Sequence, residues 1–294
     1  LFGRASDGGG AAGSWGARLG GLVDARRLAI AGYAVVVVVL FVGPLAAMVL
    51  EGLTDGSGLT LRHYEFLVQR ETTGESFKTK PLPAIRNSLL FAAATVLVAV
   101  PMGLVVSVAS TGEGRWRSLL ETATMLPFAV SGIVFGIGLL RGLVFGISLP
   151  GGWRFVLTGA VAIVAAHAVA AYPFVVRNVA PQLAGIDPRL VESARSLGAS
   201  RVRAFLDVEL RLAATGLVAG AAFAFAISIG EFDSTVILAS DVAGDTVTYT
   251  MPVAVERYLG RRFGPAMAMG TVLLVVTAAS FVVVDRLGGR VERG

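Results

Sequence analysis

Cysteine is absent from the 294 residues, which excludes disulfides and thiolate-held metal sites. Lysine is almost absent: Lys78 and Lys80 are the only two among 25 basic residues. A phosphate-binding P-loop needs Gly-Lys followed by Ser or Thr. Phe77 precedes Lys78 and Thr79 precedes Lys80, so this chain carries no such loop and any ATP-driven work would need a separate chain. Charge of either sign is scarce as well. Charged residues make up 15% of the sequence, where a soluble domain carries about 25%.

What fills the chain instead is apolar sequence: 55% hydrophobic residues and a mean hydropathy of +0.75. Six runs, at about 28–50, 88–110, 118–140, 155–177, 212–239 and 265–285, each reach the roughly 20 residues that a helix needs to cross hydrocarbon. Helices are the default for all six, because lipid leaves no backbone group to be satisfied by water. The composition therefore predicts an all-α, multi-pass membrane protein of the cell membrane. Pro127 and Pro173 are expected to kink the third and fourth spans, and Gly216 and Gly220 have the small-xxx-small spacing that lets helices approach closely.

The net charge of +5 and pI of about 10.1 fit basic loops at a membrane surface rather than nucleic-acid binding. With the N-terminus in the cytoplasm, the outer side receives ten of the 25 basic residues: Arg62, Arg70, Lys78, Lys80, Arg86, Arg141, Arg154, Arg257, Arg261 and Arg262. The majority stays inside, which favours both termini cytoplasmic. Residues 1–27 then form a cytoplasmic tail, Gly/Ala/Ser-rich and expected to be disordered over 1–21. Residues 28–50 form the first span, 51–85 an extracytoplasmic loop, 86–287 a core of five spans, and 288–294 a second tail.

One polar island interrupts the core, from Asp187 to Arg211. Asp187 suits a helix N-cap and Pro188 the first turn. Leu190, Val191, Ala194 and Leu197 make one apolar stripe, opposite Arg189, Glu192, Ser193, Arg195 and Ser196. Gly198 ends that helix and Ser200 caps the next. An amphipathic helix held between two spans needs a surface on which to lay its stripe, and a partner protein at the membrane is one.

Glu192-Ser193-Ala194, Gly198, Val208 and Leu210 resemble the EAA loop of type I ABC importer permeases: Glu-Ala-Ala, three residues, Gly, nine residues, then Ile-x-Leu-Pro. Ser193 replaces an alanine, Val208 the isoleucine and Arg211 the proline. The resemblance implies a permease subunit whose 187–211 loop is a coupling helix pair. Arg189, Glu192, Ser193, Ala194, Arg195, Gly198 and Leu210 would face a separate ATPase, with Glu192 meeting a basic group or amide there. The local alternative for Glu192 is a surface pair with Arg195 or Ser196. The family assembly implies two ATPase subunits holding ATP and Mg, a second permease subunit, the same or homologous, and an extracytoplasmic substrate-binding protein. No cofactor would be bound by this chain and no covalent chemistry performed by it.

The second stretch is Gly230-Glu231-Phe232-Asp233-Ser234-Thr235, placed in the outer half of the fifth span. Charged groups inside a span face a bundle interior or water. With the preceding AGAAFAFAISI, the stretch resembles the Gly-Glu-Phe segment of permeases for sulfate, molybdate, thiamine or iron. Glu231, Asp233 and Ser234 would then line a translocation path or gate; bonding to neighbouring helices is the alternative. Two free carboxylates on a path would repel an anion and favour thiamine or iron over an inorganic oxyanion. His167, mid-span, reads equally as a packing residue or a gating one, and His63 carries no signal. Two rivals from other classes remain at this point. An ion-coupled secondary transporter would use the intramembrane carboxylates. An intramembrane serine protease would use Ser131 with His167, although Ala129 stands where such enzymes want glycine.

Overall fold

The computed structural model describes residues 10–68, 81–111, 115–148, 151, 154–239 and 248–291. Among these, four helices are long and apolar enough to cross a membrane, and six if each of two bent helix pairs counts as one span. The chain divides into two units, residues 1–51 and 52–294. Helix α1 runs Gly10–Leu53, with its apolar span over Arg26–Leu53. It reaches back into the stretch whose composition suggests disorder, because Ala11, Ala12 and Ala17 are strong helix formers that offset the glycines between them.

In the second unit the expected outer loop is partly folded. A short hairpin pairs β1 (Thr54–Asp55) with β2 (Gly58–Leu59), and α2 follows over Arg62–Val68. Leu67 is buried in one cluster with Tyr258 and Met269. His63, which the sequence leaves without a role, hydrogen-bonds the Thr54 carbonyl through Nε2 at 3.1 Å. Its ring also fills the space where a side chain on Gly264 would stand.

Helix α3 (Pro81–Ser110) buries Ala84, Ser88, Ala92, Thr95, Ala99, Gly103 and Ser107 along one side. These residues recur every three or four positions, so they form one stripe of small side chains. In lipid, helices gain from close van der Waals contact rather than from water exclusion, and small residues permit it. Helix α6 (Gly159–Ala184) lies against that stripe. A Cβ on Gly103 would stand 2.5 Å from Val175 Cβ. Helix α6 continues unbroken through Pro173 and Pro181.

The third span is broken. Helix α4 (Arg115–Ala129) and α5 (Gly132–Leu139, extended by a π turn over Leu140–Val144) are set at 95°. The break falls at Val130–Ser131, where Ser131 is extended (φ −60°, ψ 134°), just beyond Pro127. Between α5 and α6, β3 (Ile147–Ser148) pairs with β4 (Arg154–Phe155).

The polar island folds as α7 (Pro188–Ser196), α8 (Arg201–Ala204), a π turn over Phe205–Glu209, and α9 (Leu210–Leu212). Helix α10 (Ala214–Gly230) leaves it at 71°. Gly216 and Gly220 carry α10 against α6, as their spacing predicts: added Cβ atoms would stand 2.5 Å from the Asn178 carbonyl oxygen and 3.0 Å from Val175 Cα. The fifth span does not run on to 239. It stops at Gly230, and a separate α11 covers Asp233–Leu238. Helices α12 (Met251–Leu259) and α13 (Phe263–Val291) complete the unit. Helix α12 lies in a stretch expected to be an outer loop, yet Met251, Pro252, Val253, Ala254 and Tyr258 are buried.

Candidate functional site

Helix α7 begins as the sequence predicts. Asp187 is extended and its Oδ1 accepts from the Arg189 amide at 2.9 Å, with Pro188 in the first turn. Gly198 sits at φ +94°, a conformation that costs other residues roughly 1–2 kcal/mol. The Ser200 hydroxyl accepts from the Arg203 amide at 3.3 Å. None of α7 is buried. Leu190 is 49% exposed and Leu197 is 90% exposed, so two leucines of the stripe face outward. Ser193 returns its hydroxyl proton to the Arg189 carbonyl at 2.7 Å, while Ala194 is half-buried and Arg195 exposed. The Glu192 side chain is exposed and has no partner among the described residues, so the local pair with Arg195 or Ser196 does not form. Leu210 stands in α9, half-buried, before the bend into α10.

The second stretch is a helix break. Gly230 ends α10, and Glu231 turns extended at φ −69°, ψ 119°. One oxygen of that carboxylate, Oε1, accepts from the Ser234 amide at 3.0 Å and from the Ser234 hydroxyl at 2.8 Å. The Glu231 carboxylate thereby satisfies an α11 amide that has no partner within the helix. Asp233 is exposed and Ser234 buried. Helix α5 lies against the break: a Cβ on Gly132 would stand 2.7 Å from Asp233 Cβ, and one on Gly136 3.0 Å from Ser234 Cα. Glu231, Asp233 and Ser234 together line a cleft of about 520 Å³ whose walls come from α4, α5 and α6, including Phe128 and Tyr172.

His167 holds this break from behind. It is buried, with Nδ1 2.7 Å from Ser228 Oγ on α10 and Nε2 2.7 Å from Thr235 Oγ1 on α11. Ser228 Oγ in turn donates to Thr95 Oγ1 on α3 at 3.0 Å. With its own proton given to Thr95, Ser228 Oγ is left to accept from Nδ1–H. Four helices are thus tied by one polar chain in an apolar interior. The sequence singles out His167; Ser228 and Thr235 fall within the quoted stretches without a role of their own, and Thr95 is unmarked. Their signal is weak: a hydroxyl on an apolar helix usually bonds its own backbone. Both ring nitrogens are occupied by residues other than Ser131, which leaves the serine-protease reading without its base.

A second cleft of about 700 Å³ opens between α4 and α6, lined by Arg117, Thr124, Arg177 and Pro181 among others. Among the described residues no group of His, Asp or Glu has the makings of a metal site.

Comparison with known proteins assigns this arrangement. The model of the family described as binding-protein-dependent transport system inner membrane component matches residues 95–293. The molybdenum transport system permease protein ModB of Escherichia coli K12 is 34% identical over 180 residues, covering 56% of this chain and 75% of that protein. ModB of Haemophilus influenzae is 32% identical over 191 residues, covering 60% and 80%. The sulfate transport system permease protein CysT of Escherichia coli K12 is 32% identical over 183 residues, covering 60% and 65%. Among solved structures, a chain of a bacterial alginate ABC transporter in complex with a pentasaccharide-bound periplasmic protein superposes with a TM-score of 0.72 at 16% identity, over 91% of this chain and 95% of that one. A chain of the MetNI methionine ABC transporter gives 0.57 at 17% identity, over 79% and 99%. With its bent-span fold, its capped helix pair and a family match over two thirds of its length, the chain belongs to the binding-protein-dependent transport system inner membrane components, as a type I ABC importer permease subunit.

Proposed function

We propose that this subunit forms half of a translocation pathway for an inorganic oxyanion and is driven by a separate ATPase that grips α7. The observation that carries the coupling role is the exposed, doubly capped α7, with Leu190 and Leu197 turned outward and Glu192 unpartnered among the described residues. Such a helix has its apolar stripe prepared for another protein. Closure of two ATPase subunits on ATP and Mg would bring two such helices together, and α6 and α10, joined to either end of the loop, would move with them. A second permease subunit, the same or homologous, and an extracytoplasmic binding protein complete the machine in the lipid bilayer. Both termini are cytoplasmic in this reading, which puts α7 on the ATPase side.

The oxyanion assignment is supported by relatives named for molybdenum and sulfate transport. The charge argument for thiamine or iron assumed two carboxylates free to meet the cargo. One oxygen of Glu231 is instead committed to Ser234.

The test is co-purification with an ATPase encoded nearby, for the wild type and for Glu192→Arg plus Gly198→Val, followed by ATP-dependent uptake in proteoliposomes. Retention by the wild type and loss by the folded variant, with uptake of molybdate or sulfate, is the expected result. Uptake driven by an ion gradient with no ATPase bound would sink the reading in favour of a secondary transporter.

A further inference from the structure

We infer that His167 is a positioning residue of the transport cycle: its ring clamps the break between α10 and α11 and so sets where Glu231, Asp233 and Ser234 stand in their cleft. The role in transport rests on the importer reading above; the clamp rests on geometry. The ring reaches Ser228, before Glu231 in the chain, and Thr235, after it, at 2.7 Å on either side. In a straight helix those two residues would lie about 10 Å apart along the axis. One imidazole bonded at 2.7 Å to each hydroxyl is a shorter bridge than that. The pair of bonds therefore belongs to the bent fifth span, and a straighter one would have to release Ser228 or Thr235.

The break is a joint between two packed pairs. Helix α10 is seated on α6 at Gly216 and Gly220, where added Cβ atoms would stand 2.5 Å and 3.0 Å from α6 backbone. Helix α11 is seated on α5 in the same manner, at Gly132 and Gly136. His167 belongs to α6, so Ser228 ties the ring to its own pair and Thr235 ties it to the other. Leu238 also brings α11 to α6, in an apolar cluster with Ala162, Ile163 and Ala166. Such a contact is non-directional, whereas a hydrogen bond fixes distance and angle. His167 thus sets the register of α11 against α6. Its neighbour Ala166 lines the cleft together with Glu231, Asp233 and Ser234, so the clamp acts on the cleft from its back wall. Helices α6 and α10 hold the α7–α9 loop between them. A movement of that loop reaches the cleft through the Thr235 bond.

The test uses the full chain with its co-purifying subunits. Thr235→Val keeps the side-chain shape and removes the hydroxyl that the ring holds across the break. Thr95→Val removes a buried bond of the same chain that does not cross the break, and is the control for packing alone. Hydrogen exchange of α11 in nanodiscs is expected to quicken about threefold to tenfold in Thr235→Val, the range of one lost hydrogen bond, and to stay at the wild-type rate in Thr95→Val. In proteoliposomes, radiolabelled molybdate or sulfate carried per ATP hydrolysed should fall by a similar factor in Thr235→Val only. Thr235→Ser, which keeps the hydroxyl, should match the wild type in both, and His167→Gln should lie closer to it than His167→Ala. A merely structural bond would lower the amount of folded protein in both valine variants and leave the ratio per ATP unchanged. Equal behaviour of the two valine variants overturns the inference, as does loss in Thr235→Ser. Faster exchange without a change per ATP overturns the transport role, and a change per ATP without faster exchange overturns the clamp. A wild type that carries neither ion with ATP strikes the function reading instead, and the exchange measurement then decides the clamp by itself.

Discussion

Glu231 and Ser234 close the gap between α10 and α11 through a single carboxylate oxygen, which accepts from both the Ser234 amide and the Ser234 hydroxyl. An amide oxygen in the same place can still accept both protons. Glu231→Gln is therefore expected to keep the fold and change transport little, whereas Glu231→Ala leaves the Ser234 amide bare at a buried residue and costs about 1–2 kcal/mol. Thermal unfolding in nanodiscs, with uptake measured in parallel, distinguishes the two. If glutamine proved as damaging as alanine in unfolding, the cap would not be what Glu231 supplies.

His167 makes the stronger claim on stability. Its ring holds Ser228 and Thr235 on either side of the break and has no exposure to solvent. Truncation to alanine removes two hydrogen bonds, leaves two buried hydroxyl groups to find new partners and opens a cavity. The expected loss is about 2–4 kcal/mol, a large fraction of a marginal stability. His167→Gln, which offers one donor and one acceptor, should recover part of it. A midpoint of thermal unfolding unchanged in His167→Ala would show that the four-helix chain contributes nothing.

Much of this architecture is legible in the sequence. The apolar runs locate the helices, Gly216 and Gly220 reveal their packing by spacing alone, and Asp187, Gly198 and Ser200 end and begin helices where turn chemistry puts them. The breaks are less legible. Pro127 and the charged Gly230–Thr235 stretch mark the neighbourhoods of the two breaks, but hydropathy does not say that a helix ends there, because only tertiary contact decides which way each half points. For the same reason α12 reads as a loop: its burial depends on long-range bonds, from Asn87 Nδ2 to the Tyr249 carbonyl at 3.0 Å and from the Met251 amide to Ser88 Oγ at 2.8 Å. His63 is silent in sequence because its meaning lies in Gly264, 201 positions away.

Close approach at Gly216 predicts a steric penalty. A methyl group there would stand 2.5 Å from the Asn178 carbonyl oxygen, which is backbone and cannot swing aside. Gly216→Ala is expected to destabilise by about 1–3 kcal/mol as α10 and α6 are pushed apart. Gly138, which meets nothing within 4 Å, is the control, and Gly138→Ala should be neutral or slightly stabilising in the same unfolding assay.

The sharpest separation of folding from coupling comes at Gly198. Its added Cβ would meet nothing within 4 Å, so crowding is not the issue; its φ of +94° is. Alanine and valine both suffer from that angle, valine more because branching at Cβ restricts it further. Asparagine tolerates positive φ better than either. The order of ATPase retention is therefore expected to run glycine, asparagine, alanine, valine. The midpoint of thermal unfolding should barely change, because no residue of α7 is buried against the rest of the chain. Steady ATPase binding across all four variants would mean that the turn into α8 does not set the angle at which α7 is presented. A parallel fall in binding and in thermal midpoint would mean instead that Gly198 serves the fold and only indirectly the partner. A fall in binding alone is the outcome that follows from a helix whose apolar stripe is held ready outside the packed unit.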